Sequence, residues 1–390
     1  VARSDAAAEA PARDILDSPA AGGRFLRGGG LRALAYAAAI ATSIGAIPLV
    51  SRYLHAVDYG RYVTVTSLFV IVGSITEGGI ANLGVREFSA GAPGAGRELM
   101  RSLLGLRIAL SLLGAAVAIG FALAAGYPRP VLEGTLIAAG GLILANLQVT
   151  LSVPLTARLR LPWLALLDFV GPAATAVGLI ICVLLSAPLA VFFLASALAN
   201  VALLTITTLL VRGEVSLRPS FVLARWRGLL SESIVFAAAT ALAAVYFQLV
   251  VVAMSLLSSG HAVGIFSLAF RVLSVVNGIP IILVGSAFPI LLRAARDDRA
   301  RLSYAVQRLL AGNLLLGGWL SLLVIAAAPF AISVMGGHEY AHSAGVLEIL
   351  GAGVPATFIA AVFAFALLAV RMYRALIAIN AAMVTLAAVL

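Results

Sequence analysis

Stretches of about 20 apolar residues, mostly Ala, Leu, Val, Ile and Gly, alternate along this chain with short connections that carry most of its charge. Twenty residues of α-helix rise about 30 Å, the thickness of the hydrocarbon layer of a bilayer. The pattern therefore predicts membrane-spanning helices, which satisfy their backbone hydrogen bonds internally, as lipid requires. The alternating ten-residue pattern of a membrane β-barrel is absent from the sequence. About eleven spans are predicted, at roughly 31–50, 62–83, 102–126, 131–153, 163–185, 188–211, 229–257, 263–292, 306–332, 345–370 and 375–390.

Composition agrees. The 390 residues are 62% hydrophobic and 11% charged, with a mean hydropathy of +1.10. Soluble domains carry about 25% charged residues. All 26 basic residues are arginine, which with the heavy use of Ala and Gly looks like the mark of a GC-rich coding sequence. Cys182 is the only cysteine, so no intrachain disulfide forms. Residues 1–30 are polar, broken by Pro11, Pro19, Gly22, Gly23 and Gly28 to Gly30, and lack the apolar core of a signal peptide. They are expected to form a disordered cytoplasmic tail.

The arginines set the expected orientation. Twenty-two fall in one alternate set of connections, three (Arg52, Arg61 and Arg129) fall in the other, and Arg271 lies inside a span. The positive-inside rule places the N-terminus in the cytoplasm. The net charge of +10 then follows from topology and contact with anionic membrane lipids, and no nucleic acid partner is needed. The opposite connections are short and leave no room for an external catalytic domain, so a membrane sugar polymerase is not expected.

The chain carries a repeat. Residues 54–62 and 258–266 both follow an apolar run and precede another, with Gly60 aligned to Gly264 and Tyr62 to Phe266 at an offset of 204. The next spans break at similar depth, at Glu77-Gly78-Gly79 and at Asn277-Gly278-Ile279-Pro280. The expected architecture is an all-α polytopic membrane protein with two pseudo-repeated bundles of six helices around a central cavity. Residues 31–211 form the first lobe, 212–228 a cytoplasmic linker, and 229–390 the second lobe. On this count the second lobe is one helix short, so its C-terminal helix is expected to be missing. Transporters place the substrate near the midplane between such repeats.

Three stretches carry a resemblance. The first runs from Tyr53-Leu54 through Asp58-Tyr59-Gly60-Arg61-Tyr62 to Gly78-Gly79-Ile80-Ala81-Asn82-Leu83-Gly84-Val85-Arg86-Glu87. The second is Val263-Gly264-Ile265-Phe266-Ser267-Leu268-Ala269-Phe270-Arg271 with Pro280 and Phe288-Pro289. The third is Pro329-Phe330, then Met335 to Tyr340, then Ala344 to Leu350. In order and spacing they resemble the polysaccharide-unit (O-antigen or exopolysaccharide) flippases of the multidrug/oligosaccharidyl-lipid/polysaccharide exporter superfamily. That resemblance implies a multi-pass protein of the bacterial inner membrane. It implies flipping of undecaprenyl-pyrophosphate-linked sugar units to the outer leaflet by alternating access, without cofactor or enzyme activity. Polysaccharide assembly proteins are the implied partners.

An anionic cargo calls for cations in the passage, and the planar guanidinium matches phosphate oxygens. Arg271 is the first candidate, since an arginine at mid-membrane costs about 2.5–3.5 kcal/mol on insertion scales unless it faces a cavity or partner. A structural ion pair with Glu77 or Asp168 is the competing reading. Arg52 and Arg61 bracket a connection, where they either face the cavity mouth or snorkel to the interface. Glu77 is placed to bind a coupling cation or to pair with an arginine, and Asp168 to cap or pair. Asn82, Gln248 and Asn277 are candidates for sugar hydroxyls or for bonds between helices.

Two other functions stay in view. A cation-coupled multidrug antiporter of the same superfamily would be favoured by an acidic residue in the first span, which has none. His338-Glu339-Tyr340-Ala341-His342 spells the H-E-x-x-H pattern of zinc proteases, but it follows Gly336-Gly337 in a short connection with no third ligand nearby in sequence.

Overall fold

A computed structural model describes residues 19–90, 95–213, 215–297 and 299–389. Among these residues all the regular structure is helical, joined by short turns, with no strand. The helices are α1 (Pro19–Glu77), α2 (Ile80–Ala90), α3 (Ala95–Ala124), α4 (Arg129–Leu151), α5 (Val153–Ala157), α6 (Leu161–Leu184) and α7 (Leu189–Val211), followed by α8 (Leu223–Leu257), α9 (Gly260–Asp297), α10 (Arg299–Met335), α11 (Ser343–Ala352), α12 (Val354–Ala369) and α13 (Tyr373–Val389). All eleven predicted apolar segments fall on these helices. Seven described helices are long and apolar enough to cross a membrane, or eight if the bent pair Ser343–Ala352 and Val354–Ala369 is one span.

The predicted span 31–50 and most of 62–83 lie within α1, with the rest of 62–83 on α2, and α1 breaks at His55 (φ 54°, ψ 172°). It starts at Pro19, so residues 19–30 are helical where a disordered tail is expected. Residues 1–18 lie outside the described part.

Tight turns join the helices. After α6, Ser186 takes a positive φ of 51° and the Ala187 N–H bonds the Cys182 carbonyl, after which Pro188 starts α7. After α3, Gly126 (φ 65°) does the same, with Tyr127 N–H on the Ala122 carbonyl, before Pro128. A left-handed residue at a helix end satisfies carbonyls that the helix leaves open, and proline then opens the next helix.

The helices pack in two sets. In the first, α1 lies against α6, and α4 packs between α3 and α7. In the second, α9 and α10 pack with α11 and α12, and α8 with α13. The sets meet along α1, which runs against α8 and α9. Large side chains such as Leu315, Trp319, Leu322 and Phe330 of α10 face outward, while Ser111, Thr135, Asn146 and Thr150 are buried. An apolar exterior over a partly polar interior is the arrangement lipid selects.

Candidate functional site: a cavity between the two sets of helices

A cavity of two joined chambers lies where α1, α6 and α9 face one another. The chamber of about 500 Å³ is walled by Ser43, Ile47, Gln148, Asp168, Gly171, Pro172, Arg271, Ser274 and their apolar neighbours. The other, of about 360 Å³, is walled by Tyr59, Tyr62, Thr66, Thr175, Gln248, Ser267, Phe270 and again Arg271. Ser43, Ile47, Pro172, Arg271 and Ser274 border both chambers.

Arg271 therefore stands at the junction, about 16 Å along α9 from Gly260, close to half the thickness of a bilayer core. Its side chain is open to the cavity, and among the described residues no carboxylate lies within ion-pair distance of it. Helix periodicity supplies the rest of the wall. Ser267, Arg271, Ser274 and Gly278 recur at three- and four-residue steps on one face of α9, as do Tyr59, Tyr62 and Thr66 on α1. Pure sequence reasoning passed over these hydroxyls, although that spacing was visible in the chain.

The other candidates are spread more widely. Gln248 and Asp168 line the cavity, one in each chamber. Arg52 does not line it; its guanidinium donates to the Ser333 and Val334 carbonyls at the end of α10, at 3.0 and 2.8 Å. Arg61 pairs with Asp58 one turn earlier at 2.7 Å, half exposed and outside the cavity wall. Asn82 is exposed on α2. Asn277 is buried and accepts from the Thr357 hydroxyl at 3.0 Å, joining α9 to α12.

Glu77 belongs to a different cluster. Its carboxylate accepts from Gly79 N–H at 3.0 Å and Ala81 N–H at 3.4 Å, which caps α2. It lies 3.7 Å from Nη2 of Arg107. Arg107 is wholly buried in α3, and its Nε and Nη1 donate to the Thr150 hydroxyl and the Thr76 carbonyl, both at 2.9 Å. Sequence reasoning counted Arg107 among the arginines of the connections, and the structure corrects that. Of the two readings of Glu77, a coupling-cation ligand or a partner for an arginine, its surroundings match the second, and the arginine is Arg107, not Arg271 as the competing ion-pair reading had it.

At one end the cavity is sealed. The Tyr340 hydroxyl donates to the Ser51 carbonyl at 3.0 Å, and the Ser51 hydroxyl donates to the Met335 carbonyl at 2.6 Å. Across the junction the Tyr127 and Ser255 hydroxyls bond each other. Ser51 and Ser255 stand at the repeat offset of 204, so each set of helices is closed by a tyrosine from the other. The residues of the H-E-x-x-H pattern lie here. His338–Tyr340 forms a single 3-10 turn, and Glu339 is bonded to α1. Among the described residues no group of three His, Cys, Asp or Glu side chains could hold a metal ion.

Two sets of membrane helices around a cavity that exposes a cation at mid-depth and is closed at one end define a transporter of the two-lobed class. The chain belongs to the polysaccharide biosynthesis protein family, whose model matches residues 25–295, in keeping with the resemblance read from the sequence. Solved structures share the fold. They include the lipid II flippase MurJ in an inward closed conformation, at 13% identity, covering 90% of this chain and 79% of that one, with a TM-score of 0.71. An inward-facing multidrug resistance MATE transporter of the MOP superfamily has 11% identity, 89% and 83% coverage, and a TM-score of 0.65. An outward-facing MATE transporter has 13% identity, 90% and 82% coverage, and a TM-score of 0.52. Among curated proteins none matches this sequence.

Proposed function

We propose that this protein flips polyprenyl-diphosphate-linked oligosaccharide units across the bacterial inner membrane for polysaccharide biosynthesis, with its N-terminus in the cytoplasm. The cavity alternates between the two membrane faces as the lobes rock about the α1 contact. The observation that carries this reading is Arg271, a cation at mid-depth that faces the cavity with no carboxylate within ion-pair distance among the described residues. A diphosphate supplies the missing negative charge, and the guanidinium offers it two parallel hydrogen bonds. The hydroxyl and amide groups of Ser43, Tyr62, Thr66, Gln148 and Gln248 suit sugar hydroxyls. Family membership and the fold shared with a lipid flippase support the same class of cargo. The arginine distribution supports the orientation.

The test is transport of a fluorescent lipid-linked oligosaccharide in proteoliposomes holding the wild type or Arg271→Ala. Loss of flipping by a variant that inserts and melts normally supports the reading; unchanged flipping removes Arg271 from the site.

A second reading, cation-coupled antiport of a small molecule, is favoured by Asp168 on the same wall. Dye efflux that depends on a proton or sodium gradient and fails in Asp168→Asn would select it.

A further inference from the structure

A carboxylate joins the lobes at the closed end, and the repeat does not reproduce it. Glu339, in the turn between α10 and α11, reaches α1. Its Oε1 accepts from the Ala56 N–H at 2.7 Å, and its Oε2 lies 2.8 Å from His55 Nδ1. Ala56 opens the second half of α1, so the carboxylate sits on a helix N-terminus, where open N–H groups and the helix dipole favour an anion.

His55, just before it, occupies a backbone region that residues with a Cβ rarely adopt and that persists only where its surroundings hold it. Glu339 holds both its ring and the N–H that follows. Arg52, one turn earlier, binds the end of α10 and so draws the same turn onto α1. The Glu339 carboxyl is held below the usual range, first by the Ala56 N–H, then by His55 and His261, with burial opposing. It is therefore charged at neutral pH. The corresponding turn of the first lobe, Gly126-Tyr127-Pro128, offers a tyrosine but no carboxylate.

We propose that Glu339 is a latch that holds this end of the transporter shut: its carboxylate pins the second half of α1 to the α10–α11 turn, and the cavity opens here only when that contact breaks. The latch rests on the alternating-access reading above. It is one-sided, since the paired tyrosine contacts occur in both lobes and the carboxylate in one.

Spin labels at Leu185→Cys and Gly345→Cys, in a Cys182→Ala background, report the distance across this end. Leu185 is exposed, and Gly345 has open space where its side chain would go. Distances are measured in lipid nanodiscs with no glycan lipid present. Glu339→Gln is expected to raise the ratio of long to short distances by about tenfold or more, the worth of a hydrogen bond to a charged group. Glu348→Gln, an exposed carboxylate on α11, is expected to leave it unchanged. Glu339→Asp, which keeps the charge but shortens the reach, is expected to give a smaller shift of the same sign. A Glu339→Gln distribution that overlays the parent's overturns the latch. If that variant does not fold, an unshifted Glu339→Asp overturns it. Because no cargo is present, a shift in distances without any flipping of lipid-linked sugar by the parent would sink the flippase reading and leave the latch standing.

Discussion

Gly60 and Gly264, 204 positions apart in the chain, pack backbone against backbone at the closed end. A Cβ on Gly264 would collide with the Ala56 carbonyl; one on Gly60 would collide with the Gly260 carbonyl and stand 2.9 Å from the Gly264 nitrogen. The two glycines that mark the sequence repeat are thus the two that let the lobes touch. Close approach of helices through small residues is the usual basis of packing in lipid, where no hydrophobic drive pulls helices together.

Gly264→Ala is expected to force the lobes apart. Overpacking of this kind costs about 1–3 kcal/mol. The melting temperature should fall and the Leu185–Gly345 label distance should lengthen, with Gly60→Ala acting in the same direction. Gly318→Ala, inside α10 where an added Cβ meets open space, should not destabilise and should raise stability by up to about 1 kcal/mol.

Arg271→Ala is expected to slow flipping about 10- to 150-fold, the range for losing hydrogen bonds to a charged group. Arg271→Lys should recover part of the rate, because it restores charge without the planar fork. Arg61→Ala should leave transport within about twofold, since a half-exposed pair with Asp58 contributes little. Initial rates in proteoliposomes, normalised to inserted protein, decide between these outcomes.

Arg107→Met and Glu77→Gln should each destabilise the protein, the first by about 1–3 kcal/mol, because it leaves the buried Thr76 carbonyl without its guanidinium donor. Glu77→Gln should be milder, as the amide oxygen still caps α2. The double variant should lose less than the sum of the two. Thermal unfolding in one detergent tests this, and strict additivity would rule out the coupling.

Closure at the Glu339 end should depend on acid in a defined sense. The closed state holds this carboxyl below its ordinary value of about 4.3, so the contact contributes fully above that value and is lost as pH falls through the depressed one. His55 and Arg52 on α1, His261 on α9, and His338, Tyr340 and His342 in its own connection are charged or titratable groups near it. Label distances should not lengthen between about pH 7 and pH 5, and should lengthen below about pH 4. In Glu339→Gln this acid limb should vanish.

Much of the fold was legible in one dimension. Apolar length predicted eleven segments that fall on helices, because the hydrocarbon thickness sets their length, but it missed helical residues 19–30 and the short α5. The break at Glu77-Gly78-Gly79 was legible too, and Gly78 and Gly79 do take positive φ, at 52° and 68°, but the companion break expected at Asn277-Gly278-Ile279-Pro280 does not occur, since α9 runs helical through it. Arg271 stood out because charge inside a span is costly wherever it points. Arg107 did not, since it lies near the start of a span beside Arg101 and reads as a snorkelling side chain. Its partners come from α1 and α4, at Thr76, Glu77 and Thr150. Glu339 was legible only as part of a protease-like pattern, and its partners lie 283 and 284 residues away.

The sequence by itself determined the solvent this protein inhabits, its helices, its repeat and the presence of a cation within the membrane. These depend on local hydropathy and on the bilayer's fixed thickness. Only the tertiary structure decided which way each polar group faces. A rotation of one residue turns a helical side chain by about 100°, so cavity wall, helix contact and lipid differ by a step that no linear pattern records. The surroundings of Arg271, Arg107 and Glu339 were set there, by helices that are separate in the chain and packed together in space.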